Sequence, residues 1–279
     1  MEGNRRVYPA NRPAGKWLSY LMLFLSAVIV LSGLVWRGDG DGVTIALSPT
    51  QTPVPTAEVF DETLEEREIT LPGSTWYALQ LGAFENENAA QELAQQYAMR
   101  GAAGYVWYDG RYRTLAAVYP TRDDAQYVRT QLAQEHTVDS YLFQIDLPAI
   151  RVRMSGMRGQ LDIWEAAFAQ ANALASGLQS LSVSIDRQEL SVEEALAGVQ
   201  ALGQEADTVS LRLKQRFAEP RHASVEGLMA CFSDYAAFLD TVSRNDSAVE
   251  MSTRLKRQTL RTLELIQAVY DGLSTTEEG

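Results

Sequence analysis

Residues 17–36, WLSYLMLFLSAVIVLSGLVW, are twenty positions without one charge. A helix needs about 20 apolar residues to cross a hydrocarbon core of roughly 30 Å. Trp17 and Trp36 stand at the two ends, where amphipathic rings prefer the headgroup layer. Arg5, Arg6, Arg12 and Lys16 precede the stretch against the single acid Glu2, whereas Arg37 on the far side is followed by Asp39 and Asp41. This asymmetry predicts a cytoplasmic tail over 1–16, a transmembrane helix over 17–36 and an extracytoplasmic remainder. A cleaved signal peptide is the competing reading. Its apolar region would span only ~7–15 residues with a small-x-small site close behind, and neither feature is present, so an uncleaved anchor is expected.

Every segment past residue 36 is acidic: −6 over 37–73, −4 over 74–148 and −5 over 149–279. That argues against a large surface for the phosphates of DNA or RNA, and no nucleic-acid partner is expected. The single cysteine, Cys231, excludes an internal disulfide. It lies on a helical pattern beside Leu228, Phe232 and Tyr235, as a buried small hydrophobe would. Stability must therefore come from packed cores, for which 46% hydrophobic residues suffice.

Residues 37–73 open with a Gly/Asp cluster, continue as SPTQTPVPT and end in the acidic run DETLEEREI. Proline and threonine at this density predict an extended, solvated linker, reaching at most ~100 Å at ~3.1 Å per residue. The acidic run reads as part of that linker, with a short helix as the alternative.

Residues 74–148 contain a weak repeat. A shift of 35 places Tyr77 on Tyr112, Phe84 on Tyr119, Ala90 on Ala125 and Leu93 on Val128. Each half is an apolar run followed by an amphipathic helix. Between the halves, YVWY leads into Asp109-Gly110, a hairpin signal, and SYLFQID forms a last strand before Pro148. The order β-α-β-β-α-β predicts a four-stranded antiparallel sheet with both helices on one face.

Tyr77-Ala-Leu-Gln-Leu-Gly-Ala-Phe84 followed by Ala89-Ala90, with Tyr112-Arg113, Tyr119 and Asp124-Ala125 in the second half, resembles the SPOR family of septal peptidoglycan-binding domains. The second half departs from the family pattern where Ala117-Val118 replaces Gly-Pro, which puts the local turn geometry in doubt. The resemblance implies binding to peptidoglycan glycan strands stripped of their stem peptides, at division septa or during spore formation. It also implies a bacterial cytoplasmic membrane for the anchor.

Strand alternation sends Leu79, Leu81, Thr114 and Ala116 to the helices. It leaves Ala78, Gln80, Arg111, Arg113 and Leu115 on the opposite face, which must be solvated or bind something. With Ala83 from the family-like strand, Gln80, Arg111, Arg113 and Leu115 are candidate glycan-binding residues. The Gln80 amide both donates and accepts, as acetamido and hydroxyl groups require. A two-residue Asp109-Gly110 loop would add Tyr108 to the open face as a sugar-stacking ring and hide Tyr105 and Trp107. A three-residue loop would reverse this. The Asp109-Gly110 dipeptide predicts the two-residue register, with Tyr108 outward.

Residues 149–279 predict four amphipathic helices in a bundle: 158–185, a second from the Ser191/Glu194 capping box to before Pro220, 224–243, and a last from the Ser247/Glu250 box to Gly272. The break near 149 predicts a bundle that unfolds apart from the sheet domain. The titratable inventory is thin for catalysis. His136 and His222 fall in different regions without metal spacing, and no phosphate loop or HExxH is present. The expectation is a binding protein without enzymatic activity, cofactor or metal. The alternative is a structural adaptor whose bundle recruits a protein partner.

Overall fold

The computed structural model describes residues 63–218 and 221–274. The expected tail, the membrane helix at 17–36 and most of the linker lie outside these residues. Among the described residues no helix is long and apolar enough to cross a membrane.

The chain order is β1 (Leu64–Leu71), β2 (Ser74–Phe84), α1 (Glu87–Ala98), β3 (Tyr105–Tyr108), β4 (Tyr112–Tyr119), α2 (Arg122–His136), β5 (Tyr141–Leu147), β6 (Ile150–Met157), α3 (Arg158–Asp186), α4 (Val192–Arg216), α5 (Ala223–Leu239) and α6 (Ala248–Ser274). From β2 to β5 it is the expected β-α-β-β-α-β unit, a four-stranded antiparallel sheet of order β3-β4-β2-β5. Helix α1 packs on β2, β3 and β4, and α2 on β2, β4 and β5. Leu79, Ala116 and Ala125 form a small core on that side with Leu81, Val128 and Leu132 around it. Thr114 Oγ1 donates to the Ala90 carbonyl of α1 at 2.9 Å. Leu79, Leu81, Thr114 and Ala116 thus face the helices, as alternation requires.

The acidic run expected in the linker, in part, is strand β1. It pairs antiparallel with β6, at the start of the stretch expected to be all bundle, and the two form a separate two-stranded sheet. Its charges sort by parity. Ile69 and Leu71 are buried, while Glu66 and Glu68 point outward and meet Arg153 and Arg151 of β6 at 3.2 and 3.8 Å. Arg67, on the inner face, bonds Asp162 of α3 at 2.8 Å and Glu65 at 2.6 Å. The guanidinium groups of Arg158 and Arg67 hold the Glu65 carboxyl below its ordinary range. The two sheets join where Gly73 passes Ala149 so closely that a Cβ would lie 2.7 Å from the Ala149 nitrogen, so the boundary expected near 149 falls inside this joint.

Helices α3 to α6 form the expected bundle, and both capping boxes are present. Ser191 Oγ accepts from the Glu194 N–H at 3.2 Å while the Glu194 carboxylate accepts from the Ser191 N–H at 2.9 Å. Ser247 and Glu250 exchange the same pair at 3.2 and 2.8 Å. Each satisfies helix N–H groups that would otherwise lack a partner. Trp164, fully buried, donates its indole N–H to Ser224 Oγ at 3.2 Å and stacks on Phe168 at 5.9 Å. Burial pushes the Cys231 thiol up to about 12, far from the reactive thiolate range.

The bundle does not form a core of its own. One apolar cluster runs without a break from Trp76, Ala78, Leu115 and Val118 on the sheet to Trp164, Phe168, Leu263 and Tyr270 in the helices. Helix α6 packs directly on β3 and β4. The face of the sheet opposite α1 and α2, expected to be open along its length, is therefore covered at one end by the C-terminal helices.

Candidate functional site

The strand registers define that second face row by row. Leu147 and Ser74 lead to Ile145 and Trp76, then to Phe143, Ala78 and Val118, then to Tyr141, Gln80, Leu115 and Tyr105, and finally to Ala83, Arg113 and Trp107. The register between β2 and β4 shifts between Ala78 and Gln80, so three steps on β4 match two on β2. The additional residue lies at Ala116-Ala117, beside the departure from the family-like Gly-Pro. A second shift between Gln80 and Gly82 keeps Ala83 and Arg113 on the same face as Gln80.

Burial falls along these rows. Trp76 is 7% exposed, Ala78 and Leu115 are fully buried, and Tyr141 is 66% exposed. Gln80, Ala83, Arg113 and Phe143 are half-buried. What remains uncovered, at the end near the β3–β4 hairpin, is the part carried by β5, β2 and β4, since Trp107 on β3 is buried.

Arg113 organises this end. Its Nε donates to both Asp109 carboxylate oxygens at 2.8 and 2.9 Å, and Nη1 donates to Gln80 Oε1 at 2.8 Å. Its guanidinium carbon lies 4.6 Å from the centre of the Phe143 ring. One cation thus gathers the hairpin loop, β2 and β5. The charge-assisted bonds and the ring contact fix the planar fork in place before any ligand arrives. The Gln80 amide carries two N–H donors besides the engaged Oε1, and the guanidinium carries more N–H groups than these bonds use.

The structure brings together Gln80, Ala83 and Arg113 of the expected residues, and separates the other three. Leu115 has the expected parity but is sealed beneath the bundle. Arg111 sits in the loop and lies on no strand face. Tyr108 is turned to the other side. The hairpin loop holds three residues, Asp109 to Arg111, because Tyr108 pairs with Tyr112 and Trp107 with Arg113. Gly110 takes a φ of +98°, which the longer loop demands and a residue without a Cβ adopts cheaply. The expected two-residue register is therefore reversed. Tyr105 and Trp107 lie on the second face, and Tyr108 stands beyond it against Tyr112 at 4.8 Å.

Three contributors escaped sequence reading: Asp109, Tyr141 and Phe143. Tyr141 and Phe143 alternate in SYLFQID, so a β2–β5 register would have put them beside Gln80 and Ala78. Asp109 carried only its turn signal.

The covered end has polar fastenings too. Tyr105 donates its hydroxyl to the Glu264 carboxylate of α6 at 2.6 Å, and Glu264 also accepts from Arg261. Burial, then the Glu264 carboxylate, push the Tyr105 hydroxyl above its ordinary pKa, so it stays a donor. A groove of about 550 Å³ between α1 and α6 is lined by Tyr105, Val106, Tyr108 and Tyr112, apart from Gln80 and Arg113.

Residues 73–144 match the family model of the SPOR domain. The match takes in β2 to the first half of β5 and leaves out the β1–β6 ribbon and the bundle. No curated protein and no solved structure matches the chain.

Proposed function

With a SPOR domain at residues 73–144 as the premise, we propose that this protein binds peptidoglycan through the uncovered end of its sheet, and that its ligand is glycan freed of stem peptides at sites of division or sporulation. The observation that carries the reading is the Arg113 cluster. Gln80, Asp109 and Phe143 come from three separate parts of the chain and converge on one guanidinium. An amide and a guanidinium supply donors for ring hydroxyls and acetamido carbonyls. Phe143 and the exposed Tyr141 supply apolar surface for the faces of sugar rings.

In this reading residues 17–36 hold the protein in the cytoplasmic membrane with its tail inside, and the linker lets the sheet reach the wall. The chemistry is recognition, not catalysis. The adaptor alternative gains little support, because the apolar stripes of the bundle are consumed by the shared core.

Co-sedimentation of the full-length protein with purified sacculi tests this. Capture should be several-fold greater on sacculi whose stem peptides have been removed by an amidase than on untreated ones. Equal capture on both would remove the preference for stripped glycan. No capture on either would overturn wall binding.

A further inference from the structure

Resting on the wall-binding reading above, we infer that α6 ends the platform, so that the protein holds a short segment of glycan laid across the strands instead of a long run laid along them. A chain following the strands would pass from Ala83 over Gln80 to Ala78 and Trp76. That path is closed. Ala78 is fully buried and Trp76 is 7% exposed, within the cluster that continues into Leu263 and Tyr270.

The wall is tied down along its length. Lys256 Nζ donates to the Gly101 carbonyl at 2.9 Å and pairs with Asp186 at 2.8 Å. Glu264 accepts from Tyr105, and Tyr270 donates its hydroxyl to the Pro72 carbonyl at 2.7 Å. These anchors reach the α1–β3 loop, the edge strand and the start of β2. The helix therefore spans the end of the face.

A chain crossing the strands meets Tyr141 and Phe143 on β5, Gln80 on β2 and Arg113 on β4 in turn, all at least partly exposed. On the next strand Trp107 is only 4% exposed, so the platform stops there as well. Three strands at ~4.8 Å spacing span about 10 Å, the length of roughly two sugar rings. The ribbon and bundle, which lie outside the SPOR match, thus set how much of the polymer is read.

Calorimetric titration of the full-length protein in detergent with peptide-free glycan oligomers, from the disaccharide to the octasaccharide, tests the inference. Corrected for the number of equivalent registers, affinity should change less than about twofold from the disaccharide to the octasaccharide. A steady rise through the octasaccharide would show a longer platform and overturn the inference while leaving wall binding intact. No binding at any length would overturn the wall-binding reading itself. Amide exchange across α6 in the presence of saturating tetrasaccharide supplies a second arm. Unchanged exchange is expected, and accelerated exchange would show the wall lifting away and count against a fixed end.

Discussion

Leu115→Ala is expected to lower the melting temperature by roughly 4–20 °C while the folded fraction keeps its affinity for glycan. Leu115 has the strand parity of a ligand contact, but it is fully buried in the cluster that joins the sheet to the bundle. Truncating a buried leucine costs about 2–5 kcal/mol, lost transfer energy plus the cavity left behind. For a folded unit of this size each kcal/mol moves the midpoint by about 2–4 °C. The more telling part is the shape of the transition. Because one core spans both regions, helical circular dichroism and the near-ultraviolet signals of Trp76 and Trp107 on the sheet and Trp164 in the bundle should shift together and melt at one midpoint. Two midpoints, with the helical signal unmoved by the substitution, would show that the bundle stands on a core of its own.

That shared core is where reading the sequence fell short, and the reason is physical. The four bundle helices were legible because their apolar stripes and capping residues lie close together in sequence, as at Ser191 with Glu194. The faces of β2 were legible because Leu79 and Leu81 alternate with Ala78 and Gln80. What periodicity cannot say is which apolar face meets which. Trp76, Leu115 and Val118 carry the signature of a buried strand, and only the return of α6 identifies their cover. The acidic strand β1 was hidden for a related reason. Its charge is answered by Arg151 and Arg153, more than eighty residues on, so the local run looked like solvated linker. The hairpin register turned on a single residue. Asp109-Gly110 favours a two-residue loop locally, but the longer loop puts Trp107 beside Arg113 in the shared core, and tertiary burial outweighs turn preference.

Arg113→Ala is expected to weaken glycan binding by roughly 5–150-fold, the equivalent of about 1–3 kcal/mol for lost charge-assisted hydrogen bonds. The loss has two parts. The guanidinium donors vanish, and Asp109, Gln80 and Phe143 lose the group that holds them in common. Stability should change far less than affinity, since ion pairs near the surface contribute about 0–1 kcal/mol and the Arg113–Asp109 pair is only half-buried. Arg113→Lys should recover only part of the affinity, because an ammonium keeps the charge but cannot bond Asp109 and Gln80 through one planar fork. Combining Arg113→Ala with Gln80→Ala should cost less than the sum of the two single changes, as residues acting through one network do. Full additivity would mean that the two side chains meet the ligand independently.

Radical footprinting of the full-length protein reads directly which aromatic surface the glycan covers. Tyr141, Tyr108 and Tyr127 are exposed to a similar degree, 66%, 61% and 61%, and lie respectively on the second face beside Gln80, beyond that face past the hairpin edge, and on α2. Saturating peptide-free glycan should protect Tyr141 from oxidation while leaving Tyr108 and Tyr127 as reactive as in the free protein. Protection of Tyr108 or Tyr127 with Tyr141 unchanged would place the ligand elsewhere and contradict the assignment of the Arg113 platform.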